Sequence, residues 1–199
     1  MERNIRIVAL GNELLAGVGD SRALGWFGRV MSKTHDDRHR LQHYVLAMPG
    51  EGTEALSHRW RQEAMPRFSQ ETENYLVLGL NDSDGENTGS SARSRLNLAN
   101  VLDRATQENI KTFVVGPLPG LDAERNQRVS ELNAAYQDVA TRRSHYYVDT
   151  CTPLIQHSQW RADLAANDGV PGQAGYGLIA WLVLHRGWYD WLGMEEPLA

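Results

Sequence analysis

The chain reads as an α/β protein with a parallel central sheet and helices on both faces, three layers in all. Two observations carry this reading. Short apolar runs of strand length alternate along the chain with segments of helical period. Buried strands separated by helices belong to parallel sheets covered on both sides. A third observation marks the turns. Pro49, Pro117, Pro119, Pro153 and Pro171 punctuate the passages between strand-like and helix-like segments.

Residues 5–10, Ile-Arg-Ile-Val-Ala-Leu, form the first expected strand, and Gly11 closes it in a turn. A helix is expected over 25–33, a strand over 42–47 and a helix over 54–63. The run Tyr-Leu-Val-Leu at 75–78 is the third strand. Residues 81–91, rich in Asn, Asp, Gly and Ser, read as loop. Helical period returns over 91–109, followed by a strand over 112–115 and a helix over 123–143. The last strand is expected at 145–148 and the last helix at 173–186. There is no internal repeat and no linker, so residues 1–199 form one expected domain.

Composition narrows the function classes. The net charge is −5 and no Lys/Arg run stands out, which argues against a nucleic-acid partner. No apolar stretch is long enough to span a bilayer and no signal peptide is evident. Cys151 is the only cysteine, which excludes an intrachain disulfide and paired-cysteine metal or redox motifs. Cys151 reads as a small buried hydrophobe rather than a nucleophile. A cytoplasmic location is the expectation, with no cofactor and no metal. The segment Asp82-Ser83-Asp84-Gly85-Glu86 has a weak calcium-loop pattern but lacks the full spacing, so a solvated loop is the reading.

Four blocks in order carry a family resemblance. They are Ala9-Leu10-Gly11-Asn12-Glu13, then Met48-Pro49-Gly50-Glu51-Gly52-Thr53, then Gly79-Leu80-Asn81-Asp82, and finally Asp168-Gly169-Val170-Pro171-Gly172 with Gly175-Tyr176-Gly177. Together they resemble the SGNH hydrolase superfamily, the GDSL-type lipases and esterases. The resemblance implies a flavodoxin-like fold with a cleft at the C-terminal ends of the strands. It also implies acyl-ester substrates, a serine nucleophile, and an oxyanion hole built from Gly50 and Asn81.

The same comparison exposes two departures. Glu13 stands where the family pattern places the nucleophilic serine. The catalytic His is missing between Val170 and Pro171, by what reads as a one-residue deletion. Asp168, the residue that would orient that His, remains. Glu13 is expected at the N-terminus of a short helix, a setting that favours an anion, or as a simple helix cap. Its carboxylate is expected to accept from Gly50 N–H or Asn81. Asp168 is expected to orient nothing, or to act as an N-cap or loop carboxylate. Gly50 and Asn81 could equally be ordinary turn residues. Ser21, in Gly19-Asp20-Ser21, repeats the family letters but follows no strand, so it reads as a loop or cap residue. His157 and His185 are the histidines nearest the gap in sequence, and His185 reads as structural.

The functional expectation is a protein acting on or binding small acyl esters through a degenerate triad, with a small acyl ester or carboxylate as its ligand. Two alternatives stay open. One is an active esterase with a replacement constellation, such as His157 with a water. The other is a glycosidase-like carboxylate dyad of Glu13 and Asp168, whose separation would decide between retaining and inverting chemistry. Of the six tryptophans, Trp181 is expected in the core. Trp188, Tyr189 and Trp191 are expected as an exposed patch and a candidate homodimer contact.

Overall fold

A computed structural model describes residues 2–81 and 91–197. Five strands, β1 (Asn4–Gly11), β2 (Arg40–Ala47), β3 (Glu73–Gly79), β4 (Lys111–Val115) and β5 (Tyr146–Val148), form one sheet. All pairings are parallel, in the order β2-β1-β3-β4-β5. The helices are α1 (Gly25–Thr34), α2 (Thr53–Ala64), α3 (Ser91–Gln107), α4 (Ala123–Arg142), α5 (Cys151–Leu154), α6 (Ser158–Ala166), α7 (Gln173–Val183) and α8 (Tyr189–Leu192). A 3-10 turn, Met65–Arg67, follows α2, and a π-turn, Leu184–Trp188, joins α7 to α8. The Asp82 to Glu86 segment lies outside the described residues.

Each inner strand is apolar on both faces because both are covered. Ile5, Ile7 and Ala9 of β1, Tyr75 and Val77 of β3, and Phe113 and Val115 of β4 point to the layer holding α1, α7 and α8. Val8, Leu10, Leu76, Leu78 and Val114 point to the layer holding α2, α3 and α4. Strand alternation thus divides one apolar run between two cores. β2 sits at the sheet edge, and most of its residues are exposed or half-buried. Among the described residues, no helix is long and apolar enough to cross a membrane.

Three short helices, α5, α6 and α8, were not expected from the sequence. α5 contains Pro153, which reads as a turn signal. α6 buries only Trp160 and Leu164, a stripe too narrow to register as helical period. The aromatic C-terminus reverses the expectation. Trp181 is 56 % exposed, whereas Trp188, Tyr189 and Trp191 are buried. Trp188, Tyr189 and Trp191 turn inward at a break in helical phase at Arg186 and Gly187, the latter at φ +97°. A side chain at Gly187 would meet the Tyr146 ring at 2.7 Å, so only glycine lets the chain turn there. The turn swings Trp188 onto Phe113 and Phe27, where its indole N–H donates to Thr34 Oγ1 at 2.8 Å. The presumed dimer patch is core.

Two polar devices brace the frame. Arg3 binds both carboxylate oxygens of Glu73 at 2.7 Å and the carbonyl of Leu192 at 2.7 Å, tying the C-terminal segment to the lower rim of the sheet. Asp20, its side chain fully buried, pairs with Arg29 and accepts from the N–H groups of Arg22, Leu24 and Gly25 at 2.9–3.1 Å. It fixes the entry into α1, where Gly17 and Gly25 meet so closely that a Cβ on Gly17 would lie 2.5 Å from Gly25 N.

The Arg29 guanidinium, followed by the backbone donors, holds the Asp20 carboxyl far below its ordinary value of 3.8. A depressed folded value means that this stabilisation is complete above the ordinary range and fades as pH falls through the folded one. Asp20→Asn should therefore lower the unfolding free energy at pH 7 by about 3 kcal/mol. Urea titrations of both proteins should show the gap narrowing once the pH drops below 3.8. A gap independent of pH would mean that shape, not charge, matters at this position.

Candidate functional site

The site begins where β1 and β3 end. Gly11 and Gly79 are in register, and a Cβ on Gly11 would stand 2.8 Å from the Gly79 carbonyl oxygen. The chain leaves these two glycines on adjacent paths, one toward Glu13 and the other toward Asn81. Residues 12–19 are consecutive turns, not the short helix expected. Leu15, Ala16 and Gly17 N–H donate to the carbonyls of Asn12, Glu13 and Leu14 at 3.0–3.1 Å. Gly17 and Gly19 both have positive φ, which stops a helix from propagating. Asn12 Oδ1 accepts from Leu14 N at 3.1 Å and sets the first turn.

Gly50 lies in the turn after β2, at φ +69°. Its N–H donates to Glu13 Oε2 at 2.8 Å. Of the two donors expected for Glu13, this is the one it uses. Asn81 is buried, and its side-chain amide donates to the carbonyl of Glu51. Glu51 is itself buried and bonds both its oxygens to Arg59, at 2.8 Å for Oε2. Arg59 also donates to Leu46 O at 2.7 Å. A buried pair anchored on α2 thus clamps the 48–52 turn that presents Gly50. Glu51 and Arg59 were missed in the sequence; the spacing of eight residues has no motif to announce it.

Below Glu13 lies a cleft of about 140 Å³. Trp26, Leu118, Trp160, Leu164 and Ile179 supply apolar walls, and Asn81 and Arg125 also face it. Tyr176 is buried in α7 and does not line the cleft. Burial, with the carboxylates of Asp20 and Glu13 nearby, pushes its hydroxyl well above the ordinary value. The hydroxyl therefore remains a donor and bonds Val18 O at 2.6 Å.

The remaining candidates do not converge on Glu13. Asp168 is exposed, in a left-handed conformation at φ +53°, and is not among the residues that line the cleft. It does not cap α7 either. Asp163 does, accepting from Gly172 N at 2.6 Å and Gly175 N at 2.9 Å. That role was not legible, because Asp163 belongs to the unexpected helix α6. His157 caps α6, its ring accepting from Trp160 N at 3.4 Å. His185 stacks on Trp181 with ring centroids 4.3 Å apart. Ser21 is on the surface, bonded to Gln173 Nε2 at 2.5 Å. Cys151 is buried beside Ser130, and burial pushes its thiol up. Among the described residues, no three His, Cys, Asp or Glu side chains gather as a metal site.

This architecture is shared widely. The crystal structure of TesA superposes with a TM-score of 0.74 at 16 % identity, over 92 % of this chain and 97 % of that one. A catalytic mutant of Axe2, an acetylxylan esterase from Geobacillus stearothermophilus, gives 0.74 at 12 % identity, over 100 % and 99 % of the two chains. LAE5, described as an alpha/beta hydrolase enzyme from the metagenome of Lake Arreo, Spain, gives 0.72 at 17 %, over 97 % of each. At such identities the likeness concerns the fold. A search among curated proteins finds no match. Residues 9–178 match the profile of the GDSL-like Lipase/Acylhydrolase family, and that span covers all four sequence blocks. The chain belongs to the GDSL-like lipase/acylhydrolase family, with the α/β/α fold of the SGNH esterases.

Proposed function

We propose that this protein is a binding member of its family, with a degenerate triad and little or no serine-type esterase activity. The observation that carries the reading is the bond from Gly50 N–H to Glu13 Oε2 at 2.8 Å. An acyl-transfer site needs a nucleophile, a base beside it and free donors for the oxyanion. Here a carboxylate stands in the position that the family pattern gives to serine, and it occupies one of those donors. A carboxylate attacking an acyl carbon would form a mixed anhydride, a poor intermediate without a base to hydrolyse it. His157 and His185, the histidines nearest the gap in sequence, are engaged in a cap and a ring stack, and neither lines the cleft. The ligand is a small acyl ester or carboxylate. A cytoplasmic setting belongs to the same reading, in keeping with a single cysteine that has no partner for an intrachain disulfide.

The carboxylate-dyad alternative needs two carboxyl groups facing one bond. Of Glu13 and Asp168, only Glu13 lines the cleft. The geometry therefore favours the binding reading.

Purified protein should hydrolyse p-nitrophenyl acetate and butyrate no faster than buffer. Robust turnover that vanishes in Glu13→Ala would overturn the reading and make Glu13 catalytic. Robust turnover that vanishes in Ser21→Ala would assign the nucleophile to Ser21 instead.

Repair provides a sharper measurement. Triad members act as a unit, so one repair alone recovers little. Glu13→Ser combined with a His inserted between Val170 and Pro171 should raise ester turnover above either single repair by about 10³-fold. A folded double variant that stays at background would show that the cleft has diverged beyond these two positions.

A further inference from the structure

In the family pattern, the Gly50 N–H and the Asn81 amide are the donors that meet a ligand oxygen. In this chain both are engaged from within. Gly50 N–H donates to Glu13 Oε2 at 2.8 Å, and Asn81 Nδ2 donates to the carbonyl of Glu51. Glu13 lines the cleft, and among the described residues the Gly50 N–H is the one hydrogen-bond partner of its side chain. The second carboxylate oxygen, Oε1, is an acceptor with none of those residues bonded to it. Where the pattern offers donors, the lining of the cleft therefore carries an acceptor.

The Glu13 carboxylate is held in place. Asn12 Oδ1 accepts from Leu14 N at 3.1 Å, and the carbonyls of Asn12 and Glu13 accept the turn bonds of Leu15 and Ala16. The turn that grips Oε2 is itself clamped by Glu51 and Arg59. Asn12 also lines the cleft and is only 9 % exposed. Its Oδ1 is spent on Leu14, and among the described residues its amide nitrogen has no hydrogen-bond partner. A nearly buried donor and a carboxylate acceptor thus stand on consecutive residues that line the cleft. Arg125 lines it too, with its guanidinium across Gly120, where a Cβ would lie 2.6 Å from Nη1. Arg125 already has a partner of its own, so the ligand contacts fall to Asn12 and Glu13.

We infer that the cleft selects small acyl esters bearing a hydrogen-bond donor on the acyl chain, a primary ammonium above a hydroxyl, with Glu13 Oε1 receiving that donor. This rests on the binding reading above and narrows its ligand to one class of ester. The ester carbonyl is an acceptor and suits the Asn12 amide nitrogen. An ester with no donor would strip water from Oε1 and put nothing in its place, a loss that falls on affinity. A site with a polar group to satisfy discriminates against the analogue that cannot satisfy it. An ammonium adds charge to the same bond. A carboxylate on the ligand meets like charge there and is disfavoured. The volume, about 140 Å³, limits the ligand to few heavy atoms, and Trp26, Leu118 and Ile179 supply walls for its carbon chain.

Isothermal titration of the full chain tests this with glycine methyl ester, methyl glycolate, methyl propanoate and monomethyl malonate. The first three differ only in an ammonium, a hydroxyl or a methyl group at one position. The titrations run at about pH 6, where the ammonium is protonated and carboxylates are ionised. Glycine methyl ester should bind on the order of tenfold or more tighter than methyl propanoate, the scale of one charge-assisted contact, with methyl glycolate between them and monomethyl malonate weakest. In Glu13→Gln the amide oxygen can keep the Gly50 N–H, which turns an NH₂ donor to the place of Oε1. The preference for the ammonium should then vanish, and monomethyl malonate should rise to at least the level of methyl propanoate. Circular dichroism checks that the variant is folded, and the ranking in the unaltered chain is decisive without it. Methyl propanoate binding as tightly as glycine methyl ester would overturn the inference, as would no binding by any of the four. So would an unchanged ranking in folded Glu13→Gln. Turnover of p-nitrophenyl esters on the same preparations separates the two readings. Serine-type activity would sink the binding reading whatever the ranking, whereas equal binding of the first three esters without turnover would remove only the donor preference.

Discussion

The close approach of backbones at the crest of β1 and β3 is the constraint on which the rest of the site depends. Gly11 and Gly79 are in register, with no room for a side chain on Gly11 against the Gly79 carbonyl. Two loops can therefore leave the sheet side by side, one carrying Glu13 and the other Asn81. The turn after β2 then closes over them from the sheet edge, bringing the Gly50 N–H to Glu13. The buried Glu51–Arg59 pair fixes that turn to α2. Burying an ion pair is expensive unless its hydrogen bonds are satisfied. Here both Glu51 oxygens and two guanidinium nitrogens have partners, and the gain is a backbone donor held in one orientation.

The Glu13–Gly50 bond also changes what the site is electrically. An oxyanion site is a set of dipoles waiting for negative charge that appears only during reaction. Here one backbone dipole, the Gly50 N–H, already donates to the Glu13 carboxylate. Arg125, in the first turn of α4, also lines the cleft. The lining of the cleft thus draws on segments that follow β1 and β4, two strands that are not neighbours.

Much of this fold was legible in the sequence because the inner strands are continuous apolar runs. The five strands appear where 5–10, 42–47, 75–78, 112–115 and 145–148 place them, give or take an end residue or two. The helices that bury a broad stripe were equally legible. α6 was not, since only Trp160 and Leu164 mark its inner face, and so the cap supplied by Asp163 was hidden too. The burial of Trp188 was not legible because one left-handed glycine, Gly187, resets the phase of the helix just before it. The Glu13–Gly50 contact could be anticipated, since both residues lie in blocks with a known pattern. Arg125 could not, because what brings it to the cleft is the path of the chain over Gly120.

The distribution of tryptophans has a practical consequence. Trp26 and Trp160 line the cleft while being almost wholly shielded from water. Trp188 and Trp191 are sealed in the core, and Trp60 is buried on the opposite side of the sheet. Trp181 alone among the six is open to solvent, far enough along α7 to be removed without touching the site. Replacing it with phenylalanine would leave a chain whose tryptophan emission comes entirely from shielded indoles, two of them in the wall of the cleft. The protein would then carry its own optical gauge of cleft occupancy, with no label attached.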